Sequence, residues 1–157
     1  MKCLALWQPW ASLIVIGAKR FETRSWSTTY RGPLLIHAAK KWDQSLLETC
    51  KDAPFCYALK DAVPFLGDIP RGCILGVADL VECWMCDTIA LIGSDAYSIS
   101  LPTGNELAFG DFAQHRFAWQ LENVRRFPNP IPYTGHQGIF NVDDDLVAEQ
   151  MDKAVLV

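Results

Sequence analysis

What this sequence lacks narrows its reading first. It has no apolar run of the ~20 residues needed to cross a bilayer. The stretch from Ala11 to Gly17 is far shorter and follows Pro9 rather than a basic leader. Neither a second CxxC nor a histidine pair at zinc-ligand spacing accompanies Cys83-Trp84-Met85-Cys86, so no local motif assembles four metal ligands. No Ser/His/Asp order, glycine-rich phosphate loop or repeated acidic motif occurs. Internal repeats, low-complexity tracts and linkers are missing too. The expectation is a single domain over residues 1–157, with no membrane contact, no metal and no cofactor.

Half the residues are hydrophobic and a fifth are charged, the composition of an ordinary globular domain. Ample Leu, Ile, Val, Phe and Trp argue against a disulfide scaffold, so the six cysteines are expected as reduced thiols in a cytoplasmic protein. The net charge of −4 hides an asymmetry. Residues 1–41 hold seven Lys or Arg against one acid, Glu22, for a net +6, which leaves −10 for the remainder. That distribution suits one anionic ligand in a defined cleft better than a long phosphate track, although scattered solvated charge would look the same in composition.

Cys3 to Trp7 reads as a short buried strand. Gln8-Pro9 then opens a helix whose apolar face is Trp10, Leu13, Ile14 and Ile16, and Gly17 supplies the left-handed stop. Lys19 to Arg24 reads as extended or bulged, with Phe21 inward and its polar neighbours outward; Ser25 to Gly32 reads as turn and Pro33 to Ala38 as a buried strand. Asp43 to about Lys60, interrupted by Pro54, reads as one or two short helices, with Asp43 as the N-cap of the first. Long β runs follow over Gly72 to Cys83 and Arg116 to Phe127, flanking a loop or loosely ordered insertion from Ser94 to Phe112. Gly138 to Val142 closes the sheet before a polar C-terminal helix. Together these predict an α+β domain on a small mixed, barrel-like sheet.

Three segments are candidates for chemistry. In Gly17-Ala18-Lys19-Arg20-Phe21-Glu22-Thr23-Arg24, cations stand beside one carboxylate, an arrangement that holds an anionic or amide-bearing ligand and perturbs the pKa of Lys19 or Glu22. Strict alternation puts Lys19 and Glu22 on opposite sides unless a bulge joins them, and a solvated edge strand is the plainer alternative. Trp7, Trp10 and Trp26 flank this segment, and bases stack on such rings at ~1–3 kcal/mol each, which suits single-stranded RNA or a nucleoside. The bland alternative makes these tryptophans core. In Tyr30-Arg31-Gly32-Pro33-Leu34-Leu35-Ile36-His37, His37 ends an apolar strand, where a hydrogen-bonded core histidine competes with a general base.

Leu6-Trp7-Gln8-Pro9-Trp10-Ala11-Ser12, Gly17-Ala18-Lys19 with Glu22 and Arg24, Tyr30 to His37, Gly72 to Val77, Phe117-Ala118-Trp119, and Pro130-Ile131-Pro132 with Gly135 and Gln137-Gly138 together resemble the ASCH domain family over nearly the whole chain. The most specific piece is G-x-K-x-x-E-x-R. The resemblance implies a PUA-like fold, a small β-barrel with flanking short helices and a cleft beside the first helix that receives RNA or a nucleotide. By that carry-over Lys19, Glu22 and Arg24 line the cleft floor, and Trp7, Gln8, Pro9 and Trp10 form part of its wall.

The expected partner is therefore RNA, a nucleotide or a modified nucleoside, with Trp26, Arg31 and His37 as further ligand-binding candidates. A hydrolase using Lys19 and Glu22 is the alternative. Some small proteins similar to this one hydrolyse acetylated cytidine with a lysine at the position of Lys19, a threonine and a glutamate, and others resemble ribonucleases. Here the threonine's position holds Glu22, with Thr23 one place on, and Glu106 and Asp111 are the candidates for the remote glutamate. A third reading, a protein-interaction module built on exposed aromatics, has no dedicated motif.

Overall fold

The computed structural model describes residues 1–87 and 102–157. A seven-stranded mixed sheet curls into a half-barrel with short helices packed around it, the α+β, PUA-like architecture expected from the sequence. β1 (Lys2–Leu6) runs parallel to β3 (Gly32–Ala38), and every other pairing among the described residues is antiparallel. Along the sheet the order is β2 (Phe21–Arg24), β5 (Phe117–Pro132), β4 (Cys73–Met85), β3, β1 and β6 (Ile139–Asn141). A last short strand, β7 (Val155–Leu156), pairs with β5 and has no counterpart in the sequence reading.

Alternation along the strands divides the core. Leu4, Leu6, Leu34 and Ile36 face α1 (Trp10–Val15) together with Trp119 and Leu121, whereas Cys3 and Leu35 face the other side, where Ile74, Val77, Phe127 and Val147 gather. Outside the sheet, Leu13 of α1 meets Phe55 and Leu59 of α3 (Phe55–Leu59), and Phe109 closes this third cluster. Asp43 caps α2 (Gln44–Lys51) as expected, its Oδ1 accepting from the Leu46 N–H at 3.2 Å. The register between β4 and β5 shifts three times. At the first shift Gly76 passes so close to the strand carbonyl of Arg125 that a side chain has no room.

Two expectations need correction. The Ser94 to Phe112 insertion is not loop throughout. Ser94 to Leu101 lies outside the described residues, but Glu106–Phe109 is a short helix that buries Phe109 completely. Of the polar neighbours of Phe21, Arg20 does point outward and Arg24 is partly exposed, but Lys19, Glu22 and Thr23 are buried, so the segment is not a plainly solvated edge strand.

Candidate functional site

The site begins where α1 stops. Gly17 adopts φ +77°, and the amides of Ala18 and Lys19 both return to the Leu13 carbonyl, which folds the chain back before β2 starts at Phe21. Lys19 and Arg20 therefore lie outside the strand and escape its alternation. The Lys19 ammonium reaches to 3.6 Å from Glu22 Oε2 and donates to the carbonyls of Phe21 and, at 2.8 Å, Phe109. No part of Lys19 is exposed. Burial pushes its pKa below the ordinary lysine value, while the charges of Glu22 and Glu106 act in the opposite sense.

Glu22 Oε1 lies 3.0 Å from Arg24 Nε, and Arg24 Nη2 donates to the Ala5 carbonyl at 3.1 Å. Three charges thus form a chain, cation to anion to cation, from the interior to the surface. In front of it opens a cavity of about 490 Å³, with Trp7, Trp10, Glu22 and Arg24 on one side and Phe109, Gly110, Asp111 and Arg116 on the other. Arg116 holds this second wall in place: Nε contacts Asp111 Oδ2 at 3.2 Å and Nη2 reaches the Thr23 carbonyl at 3.3 Å. Thr23 Oγ1 in turn accepts from the Asp111 amide at 3.0 Å. Glu22 and Asp111 are set against Arg24 and Arg116 on the lining, so its charges balance.

Ala5, Trp7 and Arg24 also line a second chamber of about 590 Å³, completed by Trp26, His37, Lys40 and the Thr134 to Gly138 turn. Each cavity alone falls in the ~300–1,000 Å³ range of small-molecule sites. Trp7 stands half exposed between the two, with Lys41 Nζ 3.7 Å from its ring centroid.

The profile of the ASCH domain family matches residues 4–130. This chain belongs to the ASCH domain family. ASCH domains are PUA-like folds associated with RNA binding. The domain is 43% identical over 81 residues to activating signal cointegrator 1 of Homo sapiens and, to the same extent, of Mus musculus. Those matches cover 52% of this chain but only 14% of each relative. The crystal structure of ASCH from Zymomonas mobilis superposes with a TM-score of 0.54 at 14% identity, over 99% of this chain and 96% of that one, which is a likeness of fold. No helix among the described residues is long and apolar enough to cross a membrane.

The site candidates of this ASCH domain do not all gather in one place. Trp7, Trp10, Glu22 and Arg24 line the first cavity, and Trp26 and His37 line the second. Lys19 lies behind Glu22, off the wall. Gln8 is fully buried and braces α1: its Nε2 donates to Ser12 Oγ at 2.8 Å and to the Pro70 carbonyl, and its Oε1 accepts from the Ser12 amide. Pro9 is buried beside it at the helix start. Arg31 lines neither cavity and pairs with Glu82. Of the two acidic candidates, Asp111 lines the first cavity; Glu106 receives the Arg20 amide, keeps a buried Oε2 without a partner, and has its pKa pushed up by burial. The sequence reading missed Arg116 and Phe109. The available signal was Arg116 standing at the head of the strand that pairs with β2.

Proposed function

We propose that this ASCH domain binds single-stranded RNA, or a nucleotide bearing a modified base, in the cleft between β2 and the Phe109 to Arg116 segment. One observation carries the reading: the Arg24 guanidinium, fixed by Glu22 and the Ala5 carbonyl, stands on the wall common to two cavities beside the half-exposed ring of Trp7. A phosphate meets Arg24, a base stacks on Trp7, and Glu22 accepts from a base edge. The balanced charge of the lining fits a ligand with few phosphates held in place, and the six free thiols suit a reducing compartment such as the cytoplasm.

The hydrolase reading asks Lys19 to act as base or nucleophile. Its nitrogen donates to two carbonyls and is withdrawn behind Glu22, off the cavity wall, so that although burial lowers its pKa its position weighs toward binding. Fluorescence anisotropy with a labelled short single-stranded RNA tests the proposal. Arg24→Ala and Trp7→Ala are each expected to weaken binding about tenfold or more. The salt dependence is expected to correspond to about one or two phosphates. Unchanged affinity in both variants would overturn the reading, and release of product from RNA or acetylated cytidine, abolished in a folded Lys19→Met variant, would replace it with the hydrolase.

A further inference from the structure

The second chamber contains a polar atom that the fold leaves without a partner. His37 is buried, and its Nε2 lies 2.9 Å from the Tyr133 carbonyl oxygen. A carbonyl only accepts, so Nε2 carries the hydrogen and Nδ1 presents a lone pair. That Nδ1 is buried with no hydrogen-bond partner, at the wall of a cavity lined by other polar groups. Buried acceptors are nearly always satisfied, and one that is not calls for an explanation.

Gly135 faces the same edge of the ring. A side-chain carbon at position 135 would sit 2.5 Å from His37 Cε1 and 2.7 Å from Nδ1, so any residue but glycine would collide with this edge of the ring. Around it stand Trp26, 36% exposed, and Lys40. The chamber thus offers an aromatic face, a lone pair and a cation.

Building on the RNA reading above, we propose that the second chamber is a subsite for an adjacent nucleotide of the same strand. Its base donates an N–H to His37 Nδ1 and packs against Trp26, Lys40 meets its phosphate, and Arg24 holds the phosphodiester linking the two units. Arg24 and Trp7 belong to both chambers, so a strand passing from one to the other crosses them. The ligand is then at least a dinucleotide rather than a lone nucleoside.

Calorimetric titration of the full chain with cytidine monophosphate, with the dinucleotide pCpC, and with pCpC lacking the base at either position tests the subsite. The wild type is expected to bind pCpC at least tenfold more tightly than the mononucleotide, and to lose that gain when either base is missing. Gly135→Ala, which crowds the Nδ1 edge, and Lys40→Ala, on the surface, are each expected to remove the gain while leaving mononucleotide affinity unchanged. Lys40→Ala keeps the test decisive where Gly135→Ala misfolds. Equal wild-type affinity for mononucleotide and dinucleotide, or a gain that survives in folded Gly135→Ala and Lys40→Ala, would overturn the subsite while leaving the first cavity's role intact. Binding of neither probe, or binding indifferent to Arg24→Ala, would overturn the reading beneath it as well.

Discussion

Replacing Lys19 by methionine separates a strut from a reactive group. Methionine has nearly the volume of lysine and keeps the apolar stem, so the change removes the ammonium and little else. Two carbonyls, those of Phe21 and Phe109, lose a charged donor, and Glu22 keeps Arg24 as its only cationic neighbour in the charge chain. A hydrogen bond to a charged group contributes ~1.5–3 kcal/mol, and breaking a buried pair by removing one partner costs ~3–5 kcal/mol. The carboxylate retains partial solvent contact and Arg24, which favours the lower end, so a loss of about 3 kcal/mol is expected. In a domain of this size each kcal/mol is worth ~2–4 °C, so Tm should fall by roughly 6–12 °C. Urea unfolding followed by tryptophan fluorescence measures this loss. A change under about 1 kcal/mol would refute the strut argument, because two buried carbonyls cannot lose a charged donor so cheaply.

Two further substitutions examine other parts of the structure. Gly76→Ala places a carbon against the Arg125 carbonyl, which belongs to the paired strand and cannot rotate away. A stability loss of about 1–3 kcal/mol is expected in urea, and wild-type stability would show that the β4–β5 register shift is not tight there. Burial of His37 lowers its pKa, outweighing the opposing bond to Tyr133. The unfolded chain therefore takes up this proton near its ordinary ~6.5 while the folded protein resists it until lower pH. Stability should fall as pH drops through and below about 6.5. Thermal melts at pH 7.5 and 5.5 should show a smaller difference for His37→Gln than for the wild type, and equal differences would remove His37 from the account.

Most of the fold could be read in the sequence because it rests on local signals. The Gly17 stop, the Asp43 cap, the Pro54 break and the alternation of Leu34, Leu35 and Ile36 each act within a few residues and are all found in the structure. β7 escaped notice because two exposed residues at the chain end carry no periodicity, and their place follows from an open edge on β5. In the candidate site, G-x-K-x-x-E-x-R marked a segment that lines the first cavity but not which of its side chains faces it. That depends on where the strand begins: alternation starts at Phe21, so Lys19 turns under while Glu22 and Arg24 stay at the wall. The second wall is a matter of tertiary contact. Asp111 and Arg116 reach the cleft only because β5 pairs with β2 and Phe109 docks beside α3, contacts between residues far apart in sequence.

The buried charges at the cleft floor are costly if stability is the sole criterion, since well-packed apolar residues in place of a buried ion pair are often neutral or stabilising. Their effect is better sought in the geometry of Arg24. An unrestrained arginine carries about 2 kcal/mol of rotamer entropy, which a ligand must overcome when it fixes the side chain. Glu22 limits that freedom before any ligand arrives through its ion pair with Nε, although the N–H there makes no directed hydrogen bond, and the Lys19 ammonium stands 3.6 Å from the other carboxylate oxygen. The Ala5 carbonyl accepts from Nη2, which further restricts the guanidinium on the wall that both cavities share. Preorganisation of this kind strengthens binding by reducing its ordering cost. On the proposed reading it also accounts for a lysine that need not touch a ligand: Lys19 would act through Glu22, and Arg24 would be the residue that meets the ligand.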